Sequence, residues 1–402
     1  MEAKRKRTEP PTPPPPPASA SAAASVLGND DLLRDILLRL GFPTCLVRAA
    51  AVSRRWLRHA SDPAFLRRFR ELHPPRLLGF YVVTYCNRPF PRFVPLPQPP
   101  ELAAVIRRGS FELGGHEGVM DCRDGRLIVS VNSAFAVRSP LHPGRGAVAL
   151  PELMFPAVSE YSRTDHPEVF FTEDSDGSMP YTGVTLMRNG LILRVHLTKL
   201  QGESWGEGHT VDLIELPDRS TVWHKLCLVA HGKLYVICVA GYILGLDLLS
   251  TSLVSIKLPE GVECAYQANF RLSRAEGSGF YLVDAKGFQI RVWLYRTDSI
   301  SSGSWKLVDT ISLLQVFGPL ADSSWPPGVA VHVDAVGDNA EFVFLWIHFE
   351  VYYMRICSRT VQKVYDLRKD YKQARYFNGV HPFMMVGAPT FPALNNAHDQ
   401  EE

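Results

Sequence analysis

The chain has 402 residues, of which 46% are hydrophobic, 10% aromatic and 21% charged, a length that suits about two or three domains and a composition that excludes wholesale disorder and collagen-like structure. Forty-three lysines and arginines face 41 acids for a formal charge of +2, so the overall field favours neither nucleic acid nor an anionic membrane. Seven cysteines with no C-x-x-C pair fit a reducing compartment better than a disulfide framework.

Residues 1–25 are Pro, Ala and Ser around the basic cluster Lys4-Arg5-Lys6-Arg7, too poor in apolar side chains to offset the entropy of ordering. An extended or disordered tail is expected, and its cluster suits a nuclear localisation signal. The Ala/Ser-rich start also suits a plastid transit peptide, against which Glu2 and Glu9 count. No apolar stretch follows to make a secretory signal, so nucleus, cytoplasm or both are the expected location. No run reaches the roughly 20 apolar residues of a membrane helix. The nearest, 234–246, is closed by Lys233 and Asp247 and broken at Ala240-Gly241, and reads as two short buried strands.

From 26 to 73 the apolar positions recur at helical spacing. Leu32, Ile36 and Leu40, with Leu33 and Leu37 beside them, form a wide apolar arc that Asn29 or Asp30 can cap and that Gly41 and Pro43 end. Thr44 can cap a second helix carrying Leu46 and Val47. A third, over 53–59, holds Trp56 and Leu57, and Asp62-Pro63 opens a fourth with Phe65, Phe69 and Leu72 on one face. So small a unit lies near the limit of independent stability, which predicts that its apolar surface docks onto something. Between 26 and 76, ten arginines stand against five acids, a bias that suits an acidic partner. Arg54, Arg55 and Arg58 also permit a helix-turn-helix with arginines on phosphates or guanines. Trp56 and Leu57 on the same helix, and the missing glycine between helices two and three, oppose it. No nucleic-acid or membrane partner is expected.

After Pro74-Pro75 the period becomes strand-like. Runs at 77–83, 127–131, 135–137, 191–197, 234–239, 253–258, 280–283, 290–295, 342–349 and 351–356 read as strands with hardly any helix between them. Asp124-Gly125, Asn189-Gly190, His231-Gly232, Lys286-Gly287 and Gly337-Asp338-Asn339 mark hairpins. A unit of turn, two strands and Leu-Pro recurs from Asp124 to Pro151 and from His231 to Pro259, within the spacing of roughly 40–50 residues typical of propeller blades. Radial repetition also hides the edges of so much sheet better than one open sheet does. The expected fold is α+β and multidomain: a tail at 1–25, a helical module at 26–73, a mainly antiparallel all-β propeller-like domain at 77–393, and a frayed tail at 394–402.

Three constellations invite chemistry. Gly202-Glu203-Ser204-Trp205-Gly206 matches G-x-S-x-G, yet a nucleophile elbow needs a helix after the serine, and 210–216 reads as a strand. Ser204 is expected to be a loop residue. His224, Cys227 and His231 lie close together, but on a strand residues three apart face opposite sides, so His224 and Cys227 cannot share one metal. Asp165, His166 and Glu168 crowd a polar loop without other support for acid-base catalysis. No catalytic residue, cofactor or metal is expected, and no Walker loop, dinucleotide fingerprint or H-E-x-x-H occurs.

The helical module resembles an F-box. Leu27-Gly28-Asn29-Asp30-Asp31-Leu32-Leu33, Ile36-Leu37-Leu38-Arg39-Leu40, Leu46-Val47-Arg48, Val52-Ser53-Arg54-Arg55-Trp56 and Asp62-Pro63-Ala64-Phe65 follow that family's order and spacing, with Gly28 where proline is usual and Ser53 where cysteine is common. The rest is more loosely similar to the kelch-like, F-box-associated β-propeller domains of plant F-box proteins, especially those of grasses. Leu77-Leu78-Gly79-Phe80-Tyr81, residues 121–127 and residues 137–141 carry that likeness. The resemblance implies a non-catalytic subunit of an SCF-type ubiquitin ligase. Its F-box would bind a Skp-type adaptor, and through it a cullin, while the β domain recruits a protein substrate. Leu27, Leu32, Ile36, Leu40, Leu46, Val52 and Trp56 are the implied adaptor-binding set. Leu27, Leu32, Ile36, Leu46 and Val52 are expected to lean toward the partner, and Leu33, Leu37 and Trp56 toward the interior. An F-box scaffold outside any ligase, and a propeller enzyme or ligand-binding protein, are the alternatives.

Overall fold

The computed structural model describes residues 25–85, 89–114, 117–132, 134–153, 167–172, 181–189, 192–215, 228–238, 241–250, 252–262, 269–299, 302–318, 325–326, 328–370, 376–387, 389 and 391. They divide into two units, 1–75 with 386–402 and 76–385. The cluster Lys4–Arg7 and the residues Asp165, His166, His224 and Cys227 lie outside the described residues, as does the side chain of Glu168.

In the first unit Asn29 Oδ1 accepts the amides of Asp31 and Leu32, at 2.9 and 3.1 Å, and starts α1 (Asp30–Leu38). Helix α2 spans Pro43–Ala50. Pro43 opens it, so Phe42 and not Thr44 is the N-cap, a place where a proline's missing amide leaves nothing unsatisfied. Ser53 and Asp62 cap α3 (Arg54–Ser61) and α4 (Pro63–Leu72) through the amides of Trp56 and Phe65, at 3.3 and 2.8 Å. The four helices enclose Leu33, Leu37, Leu46, Ala50, Ala60, Phe65, Leu66 and Phe69, against which Trp56, Leu57 and Phe391 also pack.

The second unit is a six-bladed, all-antiparallel propeller. Strands β1 (Leu77–Tyr85) and β2 (Pro89–Pro95) begin the first blade, and α5 (Pro100–Arg108) leads away from it. The second blade is β3 (Glu117–Arg123), β4 (Arg126–Val131), β5 (Ala134–Arg138) and β6 (Ala147–Ala149). The third is β7 (Pro167–Phe171), β8 (Tyr181–Asn189), β9 (Ile192–Gln201) and β10 (Ser204–Trp205), with β11 (His209–Glu215) also on β9. The fourth is β12 (Leu228–Ala230), β13 (Lys233–Cys238), β14 (Tyr242–Asp247) and β15 (Leu253–Lys257). The fifth is β16 (Phe270–Arg274), β17 (Gly279–Lys286), β18 (Gln289–Ser299) and β19 (Ser302–Ser312), followed by α6 (Leu313–Phe317). The sixth is β20 (Val331–Val336), β21 (Phe342–Ile347), β22 (Glu350–Arg355) and β23 (Val361–Asp366). The last strand, β24 (Tyr376–Met384), returns to pair with β1. Around the axis β3 meets β7, β12 meets β16, β16 meets β20, and β24, which takes the inner place in the first blade, meets both β20 and β3. The last described strand of the propeller ends at Met384.

Two of the hairpin signals appear as turns in which both residues have positive φ, while Gly190 of the Asn189-Gly190 signal lies outside the described residues. Asp124 and Gly125 sit at 53° and 71°, His231 and Gly232 at 53° and 69°, which is the geometry a two-residue turn between twisted strands demands. The repeated Leu-Pro has a packing role. Leu150 and Leu258 each follow an outer strand, bond back to Phe135 O (2.8 Å) and Gly241 O (3.0 Å), and enter the core shared with the next blade.

At the outer edge of the sixth blade, Arg368 donates to Asp366 from Nε (2.9 Å) and Nη2 (2.8 Å). That bond, chiefly, draws the Asp366 carboxyl down to about 2. A folded value below the unfolded one of about 3.9 means stability that is full above that value and lost as pH falls toward about 2. Asp366→Asn should therefore destabilise the protein at about pH 6 and make no difference near pH 2, which urea unfolding at a series of pH values would read.

Candidate functional site

The side chains on the helical module that present apolar surface lie one residue away from its core. Leu33 and Leu37 have no exposed surface, whereas Leu32 and Ile36 are 43% and 36% exposed. Both pairs are four apart, so each forms a stripe along α1, one inward and one outward. Val47 (45%) and Val52 (64%) extend the exposed apolar set beyond α1. Exposed Arg48, Arg54 and Arg58 accompany them on α2 and α3.

Leu46, expected to lean toward a partner, is fully buried in the module's core, and its neighbour Val47 is the exposed one. Adjacent helical positions point in different directions, and two apolar residues in a row do not reveal which faces inward. Leu27, Leu40 and Trp56 are partly buried against the same core.

Arg55 has a role the sequence pattern does not disclose. Its Nη1 and Nη2 donate to the carbonyls of Leu27 (2.7 Å) and Gly28 (2.8 Å), and its Nε donates to Asp30 Oδ1 (2.8 Å). The guanidinium thus fastens α3 to the segment that starts α1 and braces the turn where glycine replaces the usual proline. His59 Nε2 also meets Asp30 Oδ1, at 3.0 Å. The hydrogen bond from Arg55, then that from His59, holds the Asp30 carboxyl below the usual carboxylate range. An arginine committed in this way is not available to phosphates or base edges, which counts against the helix-turn-helix alternative.

On the propeller, Ser204 lies on the two-residue strand β10, after a turn at Gly202 (φ 61°), and β11 follows it. Trp205 Nε1 donates to Pro151 O at 2.9 Å, so this segment seals the junction with the second blade. The strained strand-to-helix elbow that activates a serine is not formed there. His231 occupies a hairpin turn with Nε2 2.9 Å from Ala275 O. Among the described residues no group of three or more His, Cys, Asp or Glu is placed to hold a metal, and no helix is long and apolar enough to cross a membrane.

A cleft of about 1360 Å³ opens between the fourth and fifth blades, lined by Tyr242, Lys257, Trp293, Tyr295 and Trp305 among others. The indoles are fixed: Trp305 Nε1 donates to Lys257 O across the blade boundary and Trp293 Nε1 to Asp284 Oδ1, both at 2.8 Å. Gly303 leaves room for the buried Tyr295 ring to pack against it, since a Cβ there would fall 2.3 Å from that ring. Rigid aromatic surface of this kind is the usual anchor of protein recognition.

The F-box domain profile matches residues 29–68, the segment that spans the α1 stripe and the Arg55 brace. A second profile, described as F-box protein AT5G49610-like, beta-propeller, matches residues 118–391, more than half of the chain. The chain belongs to this family of F-box β-propeller proteins. An F-box implies binding of a Skp-type adaptor, so the exposed Leu32, Ile36, Val47 and Val52 are the candidate contacts of this F-box protein. Comparison with curated proteins returns no match. Among solved structures, a Bacteroides caccae protein of unknown function has 9% identity and a TM-score of 0.41, over 76% of this chain and 99% of that one. A Lactobacillus plantarum protein has 10% identity and a TM-score of 0.38, over 72% and 82%. The β-propeller domain of Cps50 (Swd1) from Myceliophteria thermophila has 9% identity and a TM-score of 0.37, over 64% and 88%. Likenesses this distant carry no argument about function.

Proposed function

We propose that this F-box protein is the substrate-recruiting subunit of an SCF-type ubiquitin ligase. The F-box module binds a Skp-type adaptor, the adaptor brings a cullin, and the propeller holds a protein substrate within reach of a ubiquitin-charged conjugating enzyme. The observation that carries this is the outward apolar stripe of Leu32 and Ile36 on an F-box whose own core is already filled by Leu33 and Leu37. A module with a complete core gains nothing internally from that second stripe, whereas a partner would bury it. The protein itself is non-catalytic and acts by proximity. The fixed indoles and tyrosines of the cleft between blades four and five are the favoured place for the substrate.

The test is affinity purification of the full chain from cells treated with a proteasome inhibitor. Adaptor and cullin are expected together, along with proteins whose ubiquitination falls when the chain is depleted. Recovery of the adaptor without any cullin would favour the scaffold alternative and count against the ligase.

A further inference from the structure

Arg123, half-buried, is the last residue of β3, the inner strand of the second blade. Its Nη2 donates to the carbonyl of Val229, at 3.5 Å, on the inner strand of the fourth blade. A bond between inner strands that skips the third blade crosses the axial channel. Arg274, at the end of β16 in the fifth blade, donates its own Nη2 to that same carbonyl at 3.4 Å. The two donor nitrogens therefore lie within about 7 Å of one another, where like charges partly shielded from water repel.

Several other charges on the inner strands have partners. Arg271 pairs with Asp334 at 3.6 Å and donates from Nε to the Asp334 carbonyl at 2.8 Å. Asp121 accepts the amides of Cys122 (2.8 Å) and Phe171 (3.0 Å). Glu117 pairs with Arg138 at 2.7 Å. Arg274 engages further groups besides Val229. Among the described residues Arg123 makes no ion pair, its hydrogen bond to Val229 is long, and its Nη1 is buried without a hydrogen-bond partner. A half-buried guanidinium without a counter-charge is costly, and proteins keep such a group where a ligand supplies the missing anion.

We propose that the channel binds an oxyanion at Arg123, beside Arg274, with carboxylate or phosphate as the ligand class. The planar fork of a guanidinium matches the oxygens of either group, and a channel of low dielectric strengthens the pairing. The site is independent of the adaptor proposal, because it lies wholly within the propeller.

The test uses the full-length protein at fixed ionic strength in chloride buffer, titrated in parallel with inorganic phosphate and with acetate and read by scanning calorimetry. A saturable rise in Tm is expected with at least one of the two anions, weakened about tenfold or more in half-saturation by Arg123→Gln, where the fork's charge is lost. A response to phosphate alone assigns the site to phosphates, and a response to acetate assigns it to carboxylates. If Arg123→Gln does not fold, Arg274→Gln is titrated instead and the same weakening is expected. No saturable response to either anion, or the same half-saturation in wild type and the folded variant, would overturn the proposal.

Discussion

Replacing Leu32 and Ile36 together with alanine is expected to weaken binding of a Skp-type adaptor about a hundredfold while leaving the module folded. Each truncation of a central interface anchor costs about 1.4 kcal/mol or more, and two of them reach about a hundredfold at tenfold per 1.4 kcal/mol. The fold should survive because these side chains are 43% and 36% exposed, so their removal opens no cavity. Leu33→Ala with Leu37→Ala is the control that separates contact from core. Both residues have no exposed surface, and each truncation costs about 2–5 kcal/mol, enough to unfold so small a module. Calorimetric Tm and adaptor affinity should therefore part company in the first double variant and fall together in the second. An unchanged affinity for Leu32→Ala with Ile36→Ala would remove the α1 stripe from the interface.

The second large effect is expected where the ring closes. Phe383 on β24 is fully buried and meets Tyr81 and Phe93 of the first blade and Phe111, with ring centroids at 6.2, 6.0 and 5.3 Å. The pairing of β24 with β1, from Leu77 opposite Met384 to Tyr85 opposite Tyr376, joins the two ends of the propeller chain. Phe383→Ala should cost about 3–5 kcal/mol, since a large aromatic leaves a cavity that a ring of packed blades fills poorly. The loss should appear as a clear drop in Tm of the strand-dominated transition. A variant of unchanged Tm would mean that closure by β24 contributes little.

How far the sequence reveals these places depends on which physical signal each element carries. The F-box helices announce themselves through caps: Asn29, Ser53 and Asp62 each stand before an apolar-periodic run and each bonds the amide it should. The same periodicity cannot divide the five apolar residues of α1 into two stripes, or choose between Leu46 and Val47, because burial is decided by the neighbouring helices. Strands rich in β-branched and aromatic residues, such as β21, were legible. Two strands of the closing blade were not. The three prolines of β2 speak against a strand, yet β2 is an edge, where missing amides leave no ladder bond unmade. Pro382 and Gly379 disguise β24 likewise, on the inner edge of the same sheet. Helix α5 is a short helix set among strands, marked by Pro100, Glu101 in its first turn and Arg107-Arg108 in its last. Arg55 and Arg123 owe their roles to groups distant in sequence, so only the fold could display them.

Isothermal titration of the purified full-length chain with a purified Skp-type adaptor is the most direct measurement. A saturable one-to-one heat with Kd at or below about 1 μM is expected for a partner that buries Leu32, Ile36, Val47 and Val52. The absence of any binding heat up to about 50 μM adaptor, from a chain shown to be folded, would contradict it.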